Sequence, residues 1–97
     1  MNAPLNKIEM LLGALPGDEL CQRDRLEQCR TVASHRVHTV ESGLARAFLW
    51  ACCDVVTWNL YAKLPVETLA ELAKLCRRLL MLAEQAERLR EVANGLD

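Results

Sequence analysis

The residues of this 97-residue chain best equipped for chemistry are five cysteines, Cys21, Cys29, the adjacent Cys52 and Cys53, and Cys76, with two histidines, His35 and His38. Thiols and imidazoles could hold a soft metal, exchange disulfides or supply a nucleophile. Their spacing argues against each. The C-x-x-C unit on which redox and zinc sites draw is missing. Neighbouring residues on a helix project about 100° apart, so Cys52 and Cys53 cannot both reach one metal comfortably. His35 and His38 stand one turn apart, but Cys29 falls off their shared face and Cys21 is further still. The thiols are expected to be small buried hydrophobes and the histidines solvated or capping groups, with no metal and no cofactor. No nucleophile has a neighbouring base and the carboxylates are scattered, so no catalytic residue is expected and the chain reads as a non-enzyme.

The elements that position these residues follow from composition. Hydrophobic residues make up 52% of the chain but aromatics only 4%, so the bulk is Leu, Ala and Val, the palette of packed helices. Twelve basic residues against thirteen acidic ones give a net charge of −1, which creates no global field toward nucleic acid or an anionic bilayer. Arg46, Asp54, Asn59 and Lys63 interrupt the most apolar stretch, which excludes it as a membrane span. An odd number of cysteines, and an N-terminus without a charged leader and long apolar run, point to the cytoplasm.

Strand-like alternation is absent, and sparse glycines and prolines divide the chain into helical pieces. The expected fold is one all-α domain over residues 1–97, a small bundle of three to four helices with long central and C-terminal members. An arm at 1–17 carries a short amphipathic helix with Leu5, Ile8, Leu11 and Leu12 on one side. Helices are expected over 18–41, 43–63 and 65–94. Asp18 would cap the first of these. Its stripe is narrow: Leu20, Leu26, Cys29, Ala33, Val37 and Val40. Ser42 and Gly43 set a break or only a bend, Pro65 ends one helix and starts the next, and Asn94 with Gly95 closes the last.

Over 43–63, a helical wheel places Leu44, Ala47, Phe48, Leu49, Ala51, Cys52, Val55, Val56, Trp58, Leu60 and Ala62 on more than half the circumference. Such a helix is expected to be central. The remaining arc aligns Arg46, Trp50, Asp54, Thr57 and Tyr61, large amphipathic rings flanked by charges, as in binding hot spots. Either this ridge binds a partner protein, or Trp50 and Tyr61 cover the chain's own core or a dimer seam with Arg46 stacked on Trp50. In the last helix Leu72, Leu75, Leu79, Leu82 and Leu89 follow a heptad seam, with Leu69, Ala73, Cys76, Leu80 and Ala83 as a second stripe. One stripe can pack within the chain. The other is left for a symmetry mate, so a homodimer is expected.

The architecture is similar, at the level of fold, to the small all-helical antiactivators, anti-sigma-type inhibitors and secretion chaperones of bacteria and phages. The resemblance implies a regulator that occupies a partner's surface, such as the dimerisation face of a transcription factor. A nucleic-acid-binding regulator using Arg23, Arg30, Arg36, Arg77 and Arg78 is the competing reading, and it requires steeply salt-dependent binding. A metal or redox sensor built on Cys29, His35 and His38, or on the thiol pair, is a third.

Overall fold

The computed structural model describes residues 19–95, which form three α-helices: α1 (Glu19–Arg36), α2 (Gly43–Asn59) and α3 (Val66–Gly95). There is no strand among the described residues. The arm at 1–17, with its short helix and the Asp18 cap, lies outside them.

Local chemistry sets the boundaries. α1 stops at Arg36, short of the expected 41, because the chain turns there: the N–H groups of Thr39 and Val40 both donate to the Arg36 carbonyl, and Thr39 Oγ1 donates to it at 3.0 Å. Ser42, in extended conformation, then caps α2 by accepting the Ala45 N–H on its Oγ at 3.1 Å. Gly43 is the first helical residue. α2 ends at Asn59, a turn before the expected 63. Asn59 Nδ2 donates to its Val55 carbonyl at 2.7 Å, and the following N–H of Leu60 closes the last turn on Val56. The Pro65 carbonyl accepts the Leu69 N–H and opens α3.

The helices run up, down and up, and each packs on both others. Arg23 near the start of α1 donates to the Ala62 carbonyl just past α2, and the start of α2 meets Glu87 late in α3. Leu26, Cys29 and Ala33 from α1, Leu49, Cys52 and Val56 from α2, and Leu69, Ala73 and Cys76 from α3 form one core. Leu20, expected on the α1 stripe, is exposed, and Gln22 is fully buried in its place. At about 1.5 Å per residue, the 30-residue α3 outreaches the 17-residue α2. Its end beyond Glu87 overhangs, and residues 91–95 are all exposed.

Candidate binding surfaces on α2 and α3

α2 turns Ala45, Leu49, Cys52, Cys53 and Val56 into the core. That leaves too little cover for the whole apolar arc. Trp58 is 81% exposed and Leu44 58%, so their expected burial does not occur. Two neighbouring helices shield one side of a third, and an apolar arc wider than that side must face outward. The signal was already in the spacing: Leu44, Ala47 and Ala51 recur by three and four, with Trp58 seven residues further on, on an arc away from Leu49 and Val56.

The ridge of α2 lies beside this outward stripe. Trp50 is half-exposed at 51%, and with Thr57 it borders a shallow groove of about 390 Å³ against α1. Glu27, Arg30, Thr31 and Ser34 form the α1 wall, and Cys53 lies at the base. Arg30 is ion-paired with Glu27, so the wall presents an organised charge pair and not a lone cation. Asp54 stands exposed on the ridge. Tyr61 is 84% exposed but sits in the turn after α2, beyond the helix on which it was expected.

Arg46 is engaged elsewhere: its Nη1 donates to the Val40 carbonyl at 3.0 Å, tying α2 to the end of the preceding turn. Both tryptophans and the single tyrosine therefore face solvent, and only Phe48 among the aromatics packs against the core.

On α3 the core takes the second stripe, Leu69, Ala73, Cys76 and Ala83. The heptad seam lies at its margin. Leu72 and Leu79 are half-buried against the core, Leu82 is half-buried, and Leu75 and Leu89 are exposed.

The cysteines converge inside the bundle. Cys52 Sγ donates to the Cys29 carbonyl at 3.8 Å and has the Cys76 thiol as its neighbour. The interaction with Cys76, with burial, pushes the Cys52 thiol far above its ordinary range, while Cys52 draws Cys76 down against the effect of its burial. Burial raises Cys29 and Cys53 as well. Among the described residues no group of three or more His, Cys, Asp or Glu is arranged to hold a metal ion. No described helix is long and apolar enough to cross a membrane.

Arg23, counted among the basic residues that could meet phosphate, is spent on Glu19 and the Ala62 carbonyl. Lys74 pairs with Glu71 and Arg88 with Glu84, both at spacings readable from the sequence. No protein-family model matches the chain, and comparison with curated proteins and with solved structures finds no match either.

Proposed function

We propose that the chain is a protein-binding regulator of the antiactivator, inhibitor or adaptor kind, which works as a homodimer and acts by occupying a surface of another protein. The observation that carries this reading is the display of Trp50, Trp58 and Tyr61 on the outside of the bundle in a chain with only four aromatics. Aromatic residues left in water are poor value for folding but rich in binding energy, because they bury large area with few torsions to freeze. The groove between α1 and α2 has the shape to receive a ridge from a partner: Trp50 and Thr57 on one side, the Arg30 and Glu27 pair on the other, and the apolar Cys53 beneath. A helix of a transcription factor's dimerisation face is the occupant that suits it, since an amphipathic helix offers an apolar edge flanked by charges.

Site-specific photo-crosslinking tests this. A photoreactive residue at Thr57, on the groove, should trap a partner that the same residue at Met81, exposed on α3, does not. Equal trapping at both positions, or none at Thr57, removes the groove as the binding surface.

A further inference from the structure

Charge is distributed unevenly along the groove between α1 and α2. Among the described residues that line it, Arg30 is the one cation, and it is paired with Glu27. Across Glu27 and Thr31 the groove adjoins a second hollow on α1 that includes Asp24 and, among the described residues, no cation. Asp24 is exposed there on the α1 wall, and Asp54 is exposed on the α2 ridge between Trp50 and Thr57. Asp54 and Arg30 both lie close enough to Cys53, at the base, for their charges to act on its thiol. Neither Asp24 nor Asp54 makes an ion pair among the described residues. Arg46, the cation of the ridge itself, is drawn off to the end of the groove, where it bonds the Val40 carbonyl and its charge acts on Glu87. Two carboxylates thus stand on opposite walls, neither with a cation of its own.

The spacing of these two acids suits a helix. Arg23 donates to the Ala62 carbonyl and Cys52 to the Cys29 carbonyl, so α1 and α2 run antiparallel with Asp54 roughly level with Cys29 and Arg30. At 1.5 Å per residue, Asp24 lies about 8 Å further along, on the other wall. A helix lying in the groove covers that distance in about five residues, and residues five apart project about 140° from each other. Side chains so placed flank an apolar ridge on either side. Trp50, half-exposed one turn before Asp54, adds a ring face that a cation can approach.

We infer that the protein segment this groove takes is cationic: an amphipathic helix with lysine or arginine on both flanks of its apolar ridge, about five residues apart. One cation meets Asp54 and packs on Trp50, and the other meets Asp24. An acidic helix would bring like charges together at both rims, which costs affinity. This deepens the function proposed above, on whose groove it rests, by specifying the chemistry of the partner.

Two synthetic amphipathic helices of about 15 residues, one with lysines at the two flanking positions and one with glutamates there, test it when titrated against the purified chain by fluorescence anisotropy. The lysine peptide should bind, more weakly as salt is raised, and the glutamate peptide should not. Asp24→Lys and Asp54→Lys, both at exposed positions, should each weaken binding of the lysine peptide by about tenfold or more. The double variant should take the glutamate peptide instead. Thr57→Trp, which fills the groove without changing its charge, should abolish binding of the lysine peptide. Equal binding of the two peptides, or a lysine peptide indifferent to both reversals yet blocked by Thr57→Trp, overturns the charge requirement and leaves the groove standing. A lysine peptide that does not bind, or that binds Thr57→Trp undiminished, overturns the inference and counts against the groove itself.

Discussion

Glu87, near the far end of α3, accepts the backbone N–H of Ser42 at 2.9 Å and that of Glu41 at 3.1 Å, so the long helix caps the entry to α2 through its own carboxylate. Arg90, one turn on, pairs with Glu41 at 2.7 Å. These contacts tie the turn before α2 to the late part of α3.

The cap should make stability depend on acid. The hydrogen bond from Ser42, then that from Glu41, lowers the Glu87 carboxyl below its ordinary value of 4.5. A group with a lowered folded-state pKa contributes its stability above the unfolded value and loses it as pH falls through the folded one. The wild-type melting temperature should therefore drop below about pH 4.5 more steeply than that of Glu87→Gln, which should also be less stable at neutral pH. Parallel curves for the two proteins would show that the carboxylate does not act as a cap.

Gln22 is fully buried, and among the described residues neither its Oε1 nor its Nε2 finds a hydrogen-bond partner. Desolvating an amide without compensation costs on the order of 1–3 kcal/mol in proteins. Gln22→Leu, of similar volume, should raise unfolding stability by about that much in a denaturant titration. A destabilised variant would mean that the amide is satisfied in solution.

Gly43 opens α2, and no atom of the described residues lies within 4 Å of the position a Cβ would take. Nothing there requires a glycine. Gly43→Ala should stabilise by about 0.4–1 kcal/mol, chiefly by restricting the unfolded chain. A loss of stability would show that the Ser42 cap depends on glycine beside it.

The core thiols should be slow to react. Cys29, Cys52 and Cys53 are buried, and burial contributes to raising all three thiols, so little thiolate is present near pH 8. Labelling of native protein at Cys29 and Cys52, followed by peptide mapping, should proceed at the rate of unfolding, with Cys53 at the base of the groove reacting sooner. Rapid labelling under native conditions would place them nearer the surface.

Much of the fold was legible in the spacing of apolar residues and in a few punctuation marks. Ser42 before Gly43 and Leu64 before Pro65 divide the helices because a hydroxyl can accept an orphan N–H and a proline cannot continue a helix. The ends were less legible. Arg36 and Asn59 stop their helices through hydrogen bonds of Thr39 and of Asn59 itself, which periodicity does not register.

The binding surface was visible only in part. A wheel gives each residue an angle, but not which angles the neighbours cover. Trp50 and Thr57 lie where the ridge was drawn, whereas Arg46 turns to the Val40 carbonyl and Trp58 emerges from an arc that two neighbours cannot enclose. The exchange of Leu20 for Gln22 at the core has the same origin, because hydrophobicity ranks the two oppositely from their burial.

The most direct test of the central claim is quantitative affinity capture from lysate of the native host with wild type and Trp50→Ala, after far-UV circular dichroism has shown the variant to be equally helical. The account predicts one protein bound by wild type and weakened at least tenfold by the variant, which is the loss of about 1.4 kcal/mol or more expected of a hot-spot tryptophan. Equal binding by the two folded proteins would contradict it.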